Sequence, residues 1–238
     1  MTTPITTATG ADDVRNWLRR LASAVQEEQD LLDLLDSGAG DGDHGATLVL
    51  GMRRITAVLD AEYDTGAALL KAAGRAFAGV GGSIGPLWGM AMLRASQVLS
   101  RTADAPTPAA FADALADALA DALVRAGGAM AEVGSARPGD RTLLDAFVPA
   151  AAAFAHAVRG DADLRAAARA GLDAALAGAA TTALMPARRG RASRNARLAE
   201  GRVDPGAASV ALAWVEAVDP ALRDSWRDTV NTRTRSSL

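Results

Sequence analysis

Three aspartates separated by glycines are the residues in this sequence best suited to hold a metal ion. Asp36, Asp41 and Asp43 lie within residues 36–45, which read DSGAGDGDHG. Glycine lets the backbone turn tightly, so this segment can bring three carboxylates together. Crowded carboxylates repel one another unless a cation lies between them, and Mg²⁺ binds carboxylates, phosphate oxygens and water. The spacing predicts a site for one or two Mg²⁺ ions; the alternative is that Asp43 caps a helix and the others are solvated.

Glycine-rich segments next to helix starts offer a second kind of chemistry, the binding of phosphate. We expect a helix to begin near His44, and its first-turn N–H groups would attract an anion. Residues 81–89 read GGSIGPLWG, in which Pro86 suits the first turn of a helix and the glycines could cradle phosphate oxygens. A tight turn between two helices explains the same residues without a ligand, so both interpretations stay open.

Arginine is the abundant cation of the C-terminal half, with six arginines between residues 188 and 202. Three interpretations are open: a solvated loop, a nucleic-acid patch without aromatic residues for stacking, and an arginine that binds phosphate. Asp204 and Pro205 form a good N-cap and first helical position. Upstream, residues 134–145 read GSARPGDRTLLD, where Asp140 is the expected N-cap and the turn could shape a pocket rim.

Composition excludes several classes of protein. The chain has 238 residues, no cysteine, two histidines and a net charge of −3, so disulfides, thiolate zinc sites and a cysteine nucleophile are excluded, and a nucleic-acid binder is disfavoured. Lys71 is the only lysine, so a nucleotide would be bound without a P-loop lysine. The start has no secretory pattern, and the uncharged stretch 76–93 is too rich in glycine for a membrane span, which predicts a cytoplasmic protein.

The positioning elements are helices, because strand patterns are scarce. We predict an all-α fold, a bundle or closed ring of antiparallel helices, as a single domain over residues 1–238 with loose ends at about 1–10 and 231–238. The predicted helices cover residues 11–35, 44–60, 65–80, 86–103, 108–127, 140–158, 161–183 and 205–217, with a short ninth near 220–230.

Taken in chain order, these segments resemble one family, the nucleotide-binding L subunit of dihydroxyacetone kinase. The order is D-x4-DGDHG, GG-x-x-GPLWG, G-x-A-x-PGD-x-T-x-x-D, and ARRGRAS followed by DPGA, and it spans about residues 15–215. The resemblance implies a barrel of eight antiparallel helices that holds ADP or ATP at one end. It also implies two Mg²⁺ ions that bridge the phosphates and are bound by Asp36, Asp41 and Asp43.

The resemblance further implies which positions contact the nucleotide, and it assigns no catalytic residue to this chain. The glycine segment and the residues after Asp43 would face the phosphates, Gly134 and Leu143 the surroundings of the base, and Arg191 the phosphate side. The full set is His44, Gly45, Ala46, Thr47, Gly82, Ser83, Ile84, Gly134, Leu143, Arg191, Asp204, Pro205 and Gly206.

The implied function is that of the ADP/ATP-binding subunit of a two-component ketose kinase, whose K subunit binds the keto-sugar. The phosphoryl donor is either free ATP or a phosphohistidine protein of a sugar phosphotransferase system; neither nucleic acid nor membrane is an expected partner. Ile84 stands where the family usually has a hydroxyl residue, Arg141 replaces a usual lysine, and residues 194–198 differ. These departures make another keto-sugar such as erythrulose, or a non-catalytic regulatory role, the alternatives.

Overall fold

The computed structural model describes residues 10–101 and 108–231, and every regular element within them is helical, which confirms the all-α prediction. Three short 3₁₀ turns, at Thr182–Leu184, Arg191–Asn195 and Pro220–Leu222, connect or precede helices. The α-helices are α1 (Ala11–Glu27), α2 (Gln29–Ser37), α3 (His44–Leu59), α4 (Gly66–Ala78), α5 (Ile84–Leu99), α6 (Pro108–Gly134), α7 (Leu144–Arg159), α8 (Leu164–Thr181), α9 (Ala196–Ala199), α10 (Pro205–Val218) and α11 (Arg223–Asn231).

Eight of these helices form a closed ring. In the order α1, α3, α4, α5, α6, α7, α8 and α10, each helix contacts the next, and α10 contacts α1 to close the ring. Helix α2 packs on α3 and α10, and α11 packs on α8 and α10. Among the described helices none is long and apolar enough to cross a membrane.

Small residues allow the helices to approach closely around a few aromatic side chains. A Cβ on Gly51 would lie 2.2 Å from Cε2 of Phe77, and a Cβ on Gly171 would lie 2.5 Å from the ring of Trp214. Glycine in a helix costs about 1 kcal/mol relative to alanine, so its presence here reflects packing rather than helix propensity. The sparse aromatic residues are thereby inserted into facing helices, and alanine shares the remaining core with leucine, valine, isoleucine and methionine.

The predicted helix 11–35 was wrong in one respect, because the chain bends at Glu28 and forms two helices. Glu28 has φ −98° and ψ 10°, and its side chain is buried against Arg227 of α11. A break here directs α2 toward the start of α3, where a Cβ on Gly45 would lie 2.3 Å from the carbonyl oxygen of Gln29. Tertiary contacts therefore override a continuous helical pattern at this point.

Other helix bounds also differ from the prediction. Helix α6 continues through Gly127 and Gly128 to Gly134, because packing against α5 and α7 holds it in place. Helix α7 begins four residues late, at Leu144, so Asp140 is not its N-cap. The turn at Arg191–Asn195 and the short α9 were not predicted. Apart from Gly10 and Asn231, the ends predicted to be loose lie outside the described residues.

The C-terminal helix α11 is anchored by one tryptophan and two buried carboxylates. Trp226 is fully buried, and its Nε1 donates to the carbonyl oxygen of Ala208 over 2.9 Å. Arg223 pairs with buried Glu216 at 2.8 Å, and Arg227 pairs with buried Glu28. Because both arginines come from α11 and both carboxylates lie on the ring or beside it, α11 is held as part of the folded body.

Trp226→Ala is expected to destabilise the protein by about 3–5 kcal/mol, since it removes a fully buried aromatic side chain and leaves a cavity. Urea unfolding followed by far-UV circular dichroism measures the loss. Ser225→Ala, at an exposed neighbouring position, is the control and should change stability by less than about 0.5 kcal/mol. Equal stability of Trp226→Ala and wild type would show that α11 contributes nothing to the fold.

Candidate functional site

Four alternate connections of the helical ring meet at one end around a cavity of about 380 Å³. They are the links from α2 to α3, α4 to α5, α6 to α7, and α8 to α10, and residues of all four line the cavity. Each of these links leads into the first turn of a helix, where backbone N–H groups lack intrahelical acceptors. The partial positive charges of four helix N-termini are therefore concentrated at this end, which favours an anionic ligand.

The acidic link between α2 and α3 gathers the three predicted aspartates. Asp36, Asp41 and Asp43 each offer one carboxylate oxygen, and these oxygens lie within 4.8 Å of one another. Oδ2 of Asp36 accepts hydrogen bonds from the backbone N–H groups of Gly42, at 2.9 Å, and Asp43, at 3.2 Å. A Cβ on Gly40 would lie 2.1 Å from Oδ1 of Asp36, and Gly42 has a φ of +74°, so the loop needs both glycines.

The side chain of Asp43 does not cap α3, which was one part of the alternative interpretation of this segment. Asp43 occupies the N-cap position, but its side chain makes no capping hydrogen bond. Oδ1 of Asp33, which lies on α2 about one turn before Asp36, instead accepts a hydrogen bond from the N–H of Ala46 at 3.1 Å. The carboxylate of Asp43 is therefore not used as a helix cap. Three hard oxygen donors in one place suit a divalent cation such as Mg²⁺.

Arg191 is the cation that lies against this acidic cluster. Its Nη1 contacts Oδ2 of Asp41 and lies 3.3 Å from Oδ1 of Asp43. The residue before it, Gly190, has a φ of +67°, and a Cβ there would meet nothing within 4 Å. The guanidinium thus balances two of the three carboxylates, and it is half exposed at the mouth of the cavity.

His44 begins α3 and faces the inside of the ring. Its Nε2 lies 3.4 Å from the hydroxyl of Ser209 on α10. Burial lowers the pKa of His44 to about 4, and the carboxylate of Asp33 opposes that shift only in part. His44 is therefore neutral near pH 7 and serves as a hydrogen-bonding group between α3 and α10.

Arg141 ties the arginine-rich segment to the start of α10. Its side chain is buried, and Nη2 donates to the carbonyl oxygens of Ala199, at 3.0 Å, and Arg202, at 2.9 Å. Nη1 lies 3.9 Å from Oδ2 of Asp204. Oδ1 of Asp204 accepts from the N–H of Ala207, so Asp204 caps α10 as the sequence predicts. Burial raises the pKa of Asp204 to about 6, and the nearby guanidinium of Arg141 opposes this rise.

Another part of the cavity lining is apolar. It is built from the ends of α4, α5, α6 and α7, and the residues are Val80, Ile84, Leu87, Met130, Leu143 and Leu144. The glycine link adds Gly81 and Gly82, at which a Cβ would meet nothing within 4 Å, and Gly82 has a φ of +72°. A cavity lined by both apolar and charged residues suits a ligand with a flat apolar part and an anionic part.

The structure brings most of the predicted site residues to this cavity. The predicted residues that line it are Asp36, Asp41, Asp43, His44, Thr47, Gly82, Ser83, Ile84, Gly134, Leu143, Arg191, Asp204, Pro205 and Gly206. Gly45 and Ala46 do not line it, because Gly45 packs against the backbone of Gln29 and Ala46 points outward with its N–H held by Asp33.

Sequence reasoning did not predict several residues that line the cavity. Arg141, Arg189 and Arg202 belong to it, whereas only Arg191 was selected from the arginine-rich half. The left-handed φ of Arg141, +59°, has no sequence signal except the adjoining Pro-Gly-Asp turn. Val80, Leu87 and Met130 look like ordinary core positions, since an apolar residue at a helix end has the same pattern whether it faces a neighbour or a ligand.

The fold and the cavity define an all-α protein with a polar and apolar pocket at one end of a helical ring. The DAK2 domain family matches residues 38–219, and the chain belongs to this family. It is 34% identical over 196 residues to the PEP-dependent dihydroxyacetone kinase 2, ADP-binding subunit DhaL, of Listeria innocua, a match that covers 81% of this chain and 86% of that one.

The chain is also similar to a kinase of another keto-sugar and to a kinase of known structure. The chain is 35% identical to a D-erythrulose kinase of Mycolicibacterium smegmatis over 85% of its own length, but it spans only 34% of that protein. The crystal structure of the dihydroxyacetone kinase from C. freundii in complex with AMP-PNP and Mg²⁺ superposes with a TM-score of 0.64 at 24% identity. That match covers 92% of this chain and 36% of the other, and it supports the helical fold.

Asp204→Asn is expected to change how stability depends on pH. Since the folded-state pKa of Asp204 is about 6 and its ordinary value is 3.8, the folded protein holds the extra proton between these values, and wild-type stability falls as pH rises. Asparagine keeps the capping oxygen but cannot ionise. The stability of wild type relative to Asp204→Asn should therefore fall by roughly 2–3 kcal/mol between about pH 4 and pH 7.

Urea unfolding at several pH values measures this difference. The neutral, buried His44 contributes the opposite slope over a similar range, but it is present in both proteins and cancels in the comparison. A difference between the two proteins that does not vary with pH would contradict the raised pKa of Asp204.

Proposed function

We propose that this chain binds ADP or ATP together with Mg²⁺ and is the nucleotide-binding subunit of a two-component ketose kinase. The observation that carries the proposal is the cavity itself. Three carboxylates, Arg191 and the N-terminus of α3 form a polar part of its lining, and apolar residues at the ends of α4, α5, α6 and α7 form another part. This arrangement fits a diphosphate or triphosphate at the polar side and a purine base at the apolar side.

Within this proposal Asp36, Asp41 and Asp43 hold Mg²⁺, which supplies charge neutralisation for phosphoryl transfer when bound. Thr47 and the glycine link, through Gly82, Ser83 and Ile84, face the phosphates. Gly134 and Leu143 border the base, and Arg191 faces the terminal phosphate. Since Lys71 lies outside the cavity, arginine and metal take the place of the P-loop lysine.

The cavity supplies positioning and charge but no group suited to activate a substrate hydroxyl. Among the described lining residues, His44 has a pKa of about 4 and is engaged with Ser209, and the three aspartates are the metal ligands of this proposal. The remaining aspartate, Asp204, is buried, where it caps α10 and lies beside Arg141. The acceptor and its activating group are therefore on another protein, a K-type subunit. The phosphoryl donor in this proposal is free ATP or a phosphohistidine protein of a phosphotransferase system. We also propose that the protein is cytoplasmic.

The substrate class is a short keto-sugar. Relatives that match most of this chain are named as dihydroxyacetone kinase subunits and as erythrulose kinases. Incubation with a cognate K-type subunit, ATP and either ketose, followed by detection of the sugar phosphate, tests this step. If nucleotide binds but neither ketose is phosphorylated, the chain is a regulatory nucleotide-binding protein instead.

Removal of one proposed metal ligand is expected to weaken the Mg²⁺-dependent binding of ADP strongly. We expect Asp41→Asn to weaken the affinity for ADP by about a hundredfold or more in the presence of Mg²⁺, because a charge-bearing ligand of a divalent cation is lost. Isothermal titration calorimetry measures the affinity, with Asp121→Asn on the exposed side of α6 as control. Wild-type protein that shows no Mg²⁺-dependent ADP binding would refute the proposed function.

Arg191→Gln is expected to affect metal and nucleotide in opposite directions. The guanidinium lies against Asp41 and Asp43, so its removal should strengthen the binding of Mn²⁺ to the nucleotide-free protein. The same change removes a phosphate contact and should weaken ADP binding by about tenfold. Electron paramagnetic resonance of Mn²⁺ measures the first effect and calorimetry the second. Unchanged Mn²⁺ affinity would show that Arg191 does not compete with the cation.

A further inference from the structure

The six arginines between residues 188 and 202 divide into two groups. Arg189, Arg191 and Arg202 line the cavity. Arg188, Arg194 and Arg197 do not line it; they are exposed, and within the described part of the chain they form no ion pair. The only acidic residue between 184 and 203 is Glu200, so this outer group is an unbalanced positive surface on a protein whose net charge is −3.

Two leucines are exposed beside these arginines. Leu184 is 72% exposed and Leu198 is 62% exposed, and both values exceed those of the other large apolar residues described as exposed. A hydrogen bond of 3.0 Å from the N–H of Gly201 to the carbonyl oxygen of Ala183 brings the two stretches of chain together. We name Leu184, Arg188, Arg194, Arg197 and Leu198 the basic–leucine surface.

The basic–leucine surface is packed against the rim of the cavity. Ala39, Ala187 and Ala199 form a small buried cluster beneath it, which joins it to the acidic link. Buried Arg141 donates to the carbonyl oxygen of Ala199, directly after Leu198. A partner bound here would therefore be held next to the phosphate side of the cavity.

We propose that the basic–leucine surface is the docking site for the protein that carries the phosphoryl acceptor, and that this partner presents an acidic rim around an apolar contact. This proposal rests on the proposed function, since the cavity lacks an activating group and the acceptor must arrive on another protein. Unpaired arginines attract an acidic surface and speed association, and covering exposed leucines adds affinity. The exposed leucines and the absence of aromatic residues between 184 and 203 favour a protein over a nucleic acid.

The test measures association with a purified cognate K-type subunit in the presence of Mg²⁺ and ADP. We expect Arg194→Glu/Arg197→Glu to weaken association by about tenfold or more and to reduce its dependence on salt between about 50 and 300 mM. Leu184→Ser/Leu198→Ser should weaken association while leaving the salt dependence intact. The matched control is Arg159→Glu/Arg165→Glu, at the end of α7 and the start of α8; both arginines are exposed and, among the described residues, neither forms an ion pair, so this variant makes the same change in charge and should bind as wild type does.

Affinity for ADP separates the two proposals. The surface variants lie outside the cavity, so each should bind ADP as wild type does, and this also shows that the variant is folded. If the wild-type protein does not bind ADP in the presence of Mg²⁺, the proposed function is refuted. If ADP binds normally but the K-type subunit binds the surface variants as tightly as wild type, or does not bind wild type, the docking proposal is overturned. Tight binding of a single-stranded oligonucleotide to this surface would overturn it as well.

Discussion

The alternation of direction in a ring of helices is the constraint on which the rest of this structure depends. Short connections reverse the chain, so every second connection lies at the same end. The acidic, glycine, Pro-Gly-Asp and arginine-rich segments are such alternate connections, and all four line one cavity. The same geometry aims the N-termini of α3, α5, α7 and α10 at that cavity. Residues far apart in the chain thus line one cavity, and the longest of the four connections, from α8 to α10, contains two 3₁₀ turns and α9.

The positive charge at the cavity end of the ring is supplied without a P-loop lysine. Helix N-termini and arginines provide the positive field, and the acidic link provides oxygen donors that only a cation can hold together. Arg191 lies against the carboxylates, whereas buried Arg141 binds backbone carbonyls and Asp204. Arg191 therefore lies at the mouth of the cavity, and Arg141 fixes the arginine-rich segment that contains Arg191. A lysine could not make the forked contacts of Arg141 in the same way.

The family match covers residues 38–219, yet the fold extends beyond both of its ends. Asp36 precedes the match and is tied to the acidic link by two backbone hydrogen bonds. Helix α11 follows the match and is anchored by Trp226 and by arginines paired with buried Glu28 and Glu216. The bend at Glu28 and the position of α11 are thus parts of one arrangement, in which a buried carboxylate is balanced by a helix from the other end of the chain.

The sequence by itself determined the all-α class, the approximate positions of most helices and which connecting segments contain the charged and glycine residues that line the cavity. Glycine, aspartate and proline at helix ends have local effects, and local effects can be interpreted without coordinates. Only the tertiary structure decided that α1 and α2 separate at Glu28, that Asp33 rather than Asp43 caps α3, and that Arg141 joins the site. Each of these features depends on contacts between residues that are distant in sequence: Glu28 with Arg227, Asp33 with Ala46, and Arg141 with Ala199. Such contacts are fixed by the packing of the helices and have no local sequence signal.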